Sequence, residues 1–172
     1  DDSIPQTYWS LGFAYMMKRD FEKAEKVLQD AIRIAPSYAD GYGLLALIKN
    51  NRGEPEKAIE YIRKGMRLNP FFTWDYYYNL GRAYYTMGRY EEAIDYLLKA
   101  KERNENVIQV RLLLAASYVN VNRMDDAEWE IEEVQFLNPT ETLTHTRQTI
   151  PMTNLAYLDK LISDLRKAGL PE

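Results

Sequence analysis

Residues 77–100 read YYNLGRAYYTMGRYEEAIDYLLKA and establish the fold class. Their apolar and small residues recur at intervals of three and four, first up to Tyr84 and again from Tyr90 onward. This is the spacing of one face of an α-helix. Gly88 lies between the two stretches, where a helix needs a residue that tolerates a left-handed backbone. The stretch therefore predicts two helices joined by a tight turn, which is a helical hairpin.

The same pattern returns along the chain with a period of 34 or 35 residues. An alanine stands at the equivalent place of the second helix in four copies, at Ala24, Ala58, Ala93 and Ala127. A proline closes three of the copies, at Pro36, Pro70 and Pro139. Proline ends a helix there because it has no backbone N–H to donate. Four copies in register are typical of a repeat protein, in which each hairpin buries its apolar face against its neighbours.

This pattern resembles the tetratricopeptide repeat (TPR), which has a leading aromatic residue, Leu-Gly and Tyr on its first helix and Ala on its second. The third copy matches at Tyr77, Leu80, Gly81, Tyr84 and Ala93. The resemblance implies an all-α superhelix, or α-solenoid, of four helical hairpins. We place a repeat domain at residues 1–141, and its four repeats at residues 5–38, 39–72, 74–107 and 108–141.

The tail, residues 142–172, departs from the repeat. Residues 154–168 have an apolar stripe at helical spacing and a basic last turn before Gly169, which predicts an amphipathic helix. The last hairpin of a solenoid exposes an apolar flank that needs a cover. We therefore interpret residues 142–172 as C-terminal capping helices. The alternative is that the amphipathic helix binds a partner.

A second resemblance is carried by residues 69–172, with the ending LRKAGLPE at 165–172. These residues are similar to repeat arrays at the C-terminus of some bacterial class III adenylate/guanylate cyclases, and to arrays that follow winged-helix response proteins. The resemblance implies a regulatory or oligomerisation domain of a larger signalling protein. Because the chain begins with Asp1 rather than Met, we expect it to be a fragment or a processed product.

The residue composition argues against catalytic and metal-binding chemistry. The chain has no cysteine and one histidine, His145, which excludes disulfides, thiolate metal sites and paired-histidine sites. The acidic cluster at residues 125–133 lacks the glycine-containing loop of a calcium site, and no phosphate-binding glycine loop is present. The sequence therefore predicts a protein that is not an enzyme and that uses neither a metal nor another cofactor.

Charge and hydropathy also limit the classes of partner. The formal net charge is −4, and no clustered Lys and Arg residues indicate a surface for phosphate backbones. No apolar run approaches the ~20 residues of a membrane-spanning helix. We expect no nucleic-acid partner and no membrane insertion, and we take the cytoplasm as the default location.

The repeat resemblance implies where a protein partner binds, because the first helix of each hairpin lines the concave groove. Transferring that register gives an apolar and aromatic surface with a central asparagine and arginine. Its residues are Trp9, Phe13, Leu44, Leu47, Tyr78, Asn79, Arg82, Tyr85, Leu112 and Leu113. Aromatic residues and arginine anchor protein interfaces, and asparagine satisfies both donors and acceptors of a peptide backbone. The sequence predicts a protein-interaction scaffold that binds a peptide or helix in this groove.

Three alternatives stay open for these residues. In the first, Trp9 and Phe13 pack on an upstream repeat rather than on a partner. In the second, the tail fills the groove. In the third, the groove or an exposed flank forms a homodimer. Because the groove has no lysines of the kind that grip a chaperone's C-terminal carboxylate, we do not expect a chaperone-tail adaptor.

Overall fold

The computed structural model describes residues 3–172, which fold into ten α-helices and no strand. The helices are α1 (Ser3–Met17), α2 (Phe21–Ile34), α3 (Ala39–Arg52), α4 (Pro55–Leu68), α5 (Trp74–Thr86), α6 (Tyr90–Arg103), α7 (Ile108–Asn120), α8 (Met124–Leu137), α9 (Leu143–Thr149) and α10 (Leu155–Lys167). The predicted all-α fold with four helical hairpins followed by C-terminal helices is confirmed. Residues 1 and 2 of the predicted repeat domain lie outside the described residues.

The four hairpin turns share one backbone conformation. Gly53 and Gly88 both have a φ of 74°, in the left-handed region that favours glycine. Arg19 and Asn122 occupy the same place in the first and fourth hairpins, with φ values of 60° and 58°. The turn geometry is therefore the same in all four hairpins, although only two of them carry the glycine.

The two helices of a hairpin approach closely where glycine faces a leucine. A Cβ atom added to Gly81 on α5 would lie 2.5 Å from Cγ of Leu97 on α6. A Cβ atom added to Gly12 on α1 would lie 2.8 Å from Cγ of Leu28 on α2. A side chain does not fit at these distances, so glycine sets the separation of the helices in both hairpins.

The chain divides into two compact units. The first unit contains α1 to α4 and the segment Pro151–Thr153, and the second contains α5 to α10. In the first unit α2 packs on α3, and the two hairpins share a core of Met16, Phe21, Ala24, Leu28, Leu44, Leu45 and Ile48. The segment Pro151–Thr153 is attached to this unit by the backbone N–H of Thr153, which donates to the carbonyl of Asn51 at 3.1 Å. Met152 is buried.

In the second unit α7 is the central helix. It packs against α6, α8 and α10, and its residues from Arg111 to Tyr118 are all buried. Helix α10 begins after Asn154 and ends at Lys167, with Ala168 as its C-terminal cap before Gly169, which has a φ of 96°. It packs on α7 and α9. The amphipathic helix of the tail therefore lies on the first helix of the fourth hairpin.

Candidate functional site

In the second unit the C-terminal helix α10 lies on predicted groove positions. Its apolar stripe is buried at Leu158, Leu161, Ile162 and Leu165, whereas the predicted first member, Leu155, is 60% exposed. Leu112 and Leu113 are buried on α7, the helix against which α10 packs. Burial of a leucine side chain contributes about 2 kcal/mol, so an apolar stripe of this size provides most of the attachment of α10.

A polar cluster on α10 accompanies the apolar contact. The Asp164 carboxylate is 1% exposed and accepts three hydrogen bonds. The donors to its Oδ2 atom are the hydroxyl of Tyr85 at 2.7 Å, Nδ2 of Asn120 at 2.6 Å and Nζ of Lys160 at 2.9 Å. Lys160 also donates to Oδ1 of Asn120 at 2.8 Å. These four residues form the Asp164 cluster, which connects α10 to α5 and α7.

The charges of the Asp164 cluster are compensated. Burial by itself raises the pKa of Asp164, but the hydrogen bonds from Lys160, Asn120 and Tyr85 outweigh it, so the pKa lies below the ordinary value. Burial, and then the hydrogen bond to Asp164, raise the pKa of Tyr85, which keeps its hydroxyl protonated. The contribution of Asp164 to stability is thus present above the ordinary aspartate pKa, and is lost as the pH falls through the lowered value.

The other predicted groove residues of the second unit are buried to different degrees. Asn79 is buried, and its Nδ2 donates to the carbonyl of Asp75 at 2.9 Å. Arg82 is 7% exposed, and burial lowers the pKa of its guanidinium. Tyr78 is half-buried, with its ring 6.0 Å from that of Trp74. In this unit Tyr78 is thus the most accessible of the predicted groove residues.

The first unit presents a partly exposed apolar strip on α1, in which Trp9 is half-buried against the core. The rings of Trp9 and Phe13 are stacked, with centroids 5.3 Å apart and an interplanar angle of 6°. Phe13 is 38% exposed and Met17 one turn further is 50% exposed. We name Trp9, Phe13 and Met17 the α1 strip. Of the other two predicted positions, Leu44 belongs to the core and Leu47 packs half-buried against it.

Sequence reasoning did not identify Lys160 and Asp164 as site residues. Their signal is present in the sequence, because Asp164 stands among the buried leucines of an amphipathic helix, with Lys160 four residues before it. A carboxylate in such a stripe needs a partner. The sequence does not say which groups supply the other hydrogen bonds, since Tyr85 lies 79 residues away.

Three further features concern metal binding, the single histidine and membrane insertion. Within residues 3–172 no group of three or more His, Cys, Asp or Glu side chains could hold a metal ion. His145 is half-exposed, and its Nδ1 lies 2.9 Å from Oε2 of Glu141. No helix in this range combines the length and the apolar character needed to cross a membrane.

Family models described as tetratricopeptide repeat match residues 5–38, 39–72 and 74–107, which together make up more than half of the chain. The chain belongs to the tetratricopeptide repeat family. Repeats of this family stack into solenoids whose surfaces bind other proteins. The second unit of this TPR protein thus differs from an open repeat array in that its own C-terminal helix covers α7.

Known TPR proteins are similar to this one. The type IV pilus assembly protein PilF of Pseudomonas aeruginosa is 33% identical over an alignment of 109 residues, covering 59% of this chain and 40% of PilF. The solved structure of PilF has a TM-score of 0.74 at 25% identity, covering 97% of this chain and 74% of that one. The crystal structure of YrrB, a TPR protein with an unusual peptide-binding site, has a TM-score of 0.63 at 20% identity, covering 94% and 82%. This TPR protein spans less than half the length of the curated relatives it matches.

Proposed function

We propose that this chain is a non-enzymatic protein-interaction scaffold. The first helix of each hairpin lines the groove that binds an amphipathic helix or peptide of a partner. The observation that carries the proposal is the position of α10, an amphipathic helix that packs on α7 and buries its apolar stripe. Helix-in-groove binding uses the same elements, which are an apolar face with anchors at helical spacing and a receiving apolar surface. The mode of binding that α10 uses within the chain is the mode we propose for a partner.

The α1 strip is the proposed first contact of that partner. Phe13 and Met17 are exposed and Trp9 is half-buried, and the stacked rings of Trp9 and Phe13 provide a rigid apolar surface of the kind that anchors interfaces. Leu47 extends the surface, while Leu44 supports it from the core. In the second unit α10 must leave its position before a partner reaches Tyr85 or the face of α7 that α10 covers, on the helix of Leu112 and Leu113. Asn79 and Arg82 are themselves buried.

The relatives support an interaction role in general terms. YrrB is described as having a peptide-binding site, and PilF is named for the assembly of type IV pili. These descriptions agree with a scaffold function and leave the identity of the partner to experiment.

Phe13→Glu tests the proposed contact. We expect the variant to lose its partner, with recovery in a quantitative pull-down reduced about tenfold or more, which corresponds to at least ~1.4 kcal/mol of binding free energy. The physical reason is that a charge on the α1 strip must be desolvated when an apolar helix packs on it. Since Phe13 is 38% exposed, α1 is expected to fold normally, which far-UV circular dichroism checks.

Leu11→Glu is the matched control. Leu11 lies on the same helix with 44% exposure, but two residues earlier and so on another side of α1. We expect the wild type and Leu11→Glu to recover the same partner proteins, and Phe13→Glu to lose them. Equal recovery by all three would contradict the proposed contact.

The alternative function is a regulatory or oligomerisation domain of a larger signalling protein, such as a bacterial adenylate cyclase or a winged-helix regulator. It remains a prediction from the sequence. Light scattering of the purified chain over a wide concentration range distinguishes the two functions. A concentration-dependent dimer favours the alternative, whereas a monomer at every concentration leaves the α1 strip free for another protein.

A further inference from the structure

The outer surface of α8 carries two exposed aromatic side chains. Trp129 is 56% exposed and Phe136 is 82% exposed. They stand seven residues apart, which places them on the same side of α8 at a spacing of about 10 Å. Neither ring has a ring contact or a cation above it among the described residues. Large apolar side chains in such an array are typical of an interaction surface.

The repeat structure shows that these two positions are normally occupied by charge. The equivalent residues are Lys26 and Arg33 on α2, Glu60 and Arg67 on α4, and Asp95 and Glu102 on α6. All six are exposed. Helix α2 stacks on α3, and α6 stacks on α7, while these positions stay in solvent. A further hairpin stacked on α8 in the same way would therefore leave Trp129 and Phe136 exposed.

The two aromatic residues alternate with carboxylates that have no partner. Asp125, Trp129, Glu132 and Phe136 follow one another at intervals of four, three and four residues, so they form one continuous side of α8. We name them the α8 strip. Neither Asp125 nor Glu132 has a hydrogen bond or ion pair within residues 3–172. By contrast, Asp126 pairs with Arg123 at 2.7 Å.

We propose that the α8 strip binds a basic amphipathic segment of a protein partner. Apolar side chains of the segment cover Trp129 and Phe136, and its Lys or Arg side chains pair with Asp125 and Glu132. Tryptophan and phenylalanine supply buried anchors and accept a cation on their faces, and a carboxylate favours a guanidinium or ammonium partner. Charge complementarity makes the partner basic. A second copy of α8 would instead bring like charges together in a chain of net charge −4.

This surface is separate from the proposed groove, because it lies on the second helix of a hairpin.

The experiment that tests the α8 strip uses the full chain and a defined probe, which is a synthetic amphipathic helix of leucine and lysine. A leucine–glutamate helix is the negative control. The double variant Trp129→Asp/Phe136→Glu converts the two positions to the residues that α6 carries there. Phe71→Glu is the matched control, since Phe71 is an aromatic residue with 89% exposure outside the strip.

The expected result in titration calorimetry is that the double variant binds the leucine–lysine helix about tenfold more weakly than the wild type. Phe71→Glu is expected to bind like the wild type. The direction of the change in affinity is informative. The double variant is more acidic than the wild type, so attraction by charge alone would strengthen its binding to the leucine–lysine helix. Phe13→Glu is expected to bind this probe at the α8 strip as the wild type does, which separates this test from that of the groove.

Three results would overturn the proposal. The first is a wild-type chain that does not bind the leucine–lysine helix. The second is a double variant that binds it equally or more tightly. The third is self-association of the wild type that the double variant abolishes, since the occupant would then be a second copy of the chain.

Discussion

Replacing Asp164 with alanine is expected to lower the free energy of unfolding of the second unit by about 3 kcal/mol and to make local opening of α10 more frequent. The carboxylate is buried and accepts hydrogen bonds from Tyr85, Asn120 and Lys160. Without it, the Tyr85 hydroxyl and the Asn120 amide lose their acceptor on α10. The Lys160 side chain is 40% exposed and can return to water, which keeps the effect below that of a fully buried charge pair.

Urea unfolding followed by circular dichroism measures the overall effect, and hydrogen exchange of the amides of α10 measures the local one. Asp159→Ala is the control on the same helix, because Asp159 forms a 2.6 Å ion pair with Arg147 in which both side chains are largely exposed. Such a surface pair contributes about 0–1 kcal/mol. If Asp164→Ala and Asp159→Ala behaved alike, the Asp164 cluster would not hold α10.

Glu130→Ala is expected to destabilise the second unit by about 3–5 kcal/mol. Glu130 is 3% exposed and accepts from Nζ of Lys101 at 2.5 Å and from the guanidinium of Arg111 at 2.8 Å. It therefore connects α8 to both α6 and α7. Arg111 is 5% exposed. Among the described residues, removal of Glu130 leaves it a 3.2 Å ion pair with the half-buried Glu133 and a hydrogen bond to the backbone carbonyl of Glu105.

Glu128→Ala is the matched control for this substitution. Glu128 lies on the same helix, is exposed and has no ion pair among the described residues, so its removal is expected to change stability by less than about 0.5 kcal/mol. Thermal unfolding of the two variants provides the comparison. A Glu130→Ala variant as stable as Glu128→Ala would mean that the pair with Arg111 contributes nothing to the packing of α6, α7 and α8.

The helices and hairpins are predictable from the sequence because their determinants are local. Apolar spacing of three and four residues sets each helix, and Gly88 sets a turn whose φ of 74° the structure has. The sequence predicts the tail helix at residues 154–168, and the structure has it at Leu155–Lys167. In each case the information lies within about one helical turn of the residue concerned.

The position of α10 is not predictable in the same way. An amphipathic stripe indicates that one side of a helix is covered. It does not specify which element of the fold packs on that side. The cover is α7, and the pairing of Asp164 with Tyr85 on α5 and Asn120 on α7 adds to the apolar contact. These partners are 79 and 44 residues from Asp164, so the sequence pattern alone does not connect them. The role of the predicted groove residues in binding a partner stays a prediction.

The measurement that tests the position of α10 most directly is a double-mutant cycle between Tyr85→Phe and Asp164→Ala. Unfolding free energies of the wild type, the two single variants and the double variant isolate the coupling between the hydroxyl on α5 and the carboxylate on α10. We predict a coupling of about 1–3 kcal/mol, as for a hydrogen bond to a charged acceptor, with Tyr85→Phe costing little once Asp164 is absent. A coupling near zero would contradict this position of α10, because the Tyr85 hydroxyl and the Asp164 carboxylate would then not be hydrogen-bonded between α5 and α10.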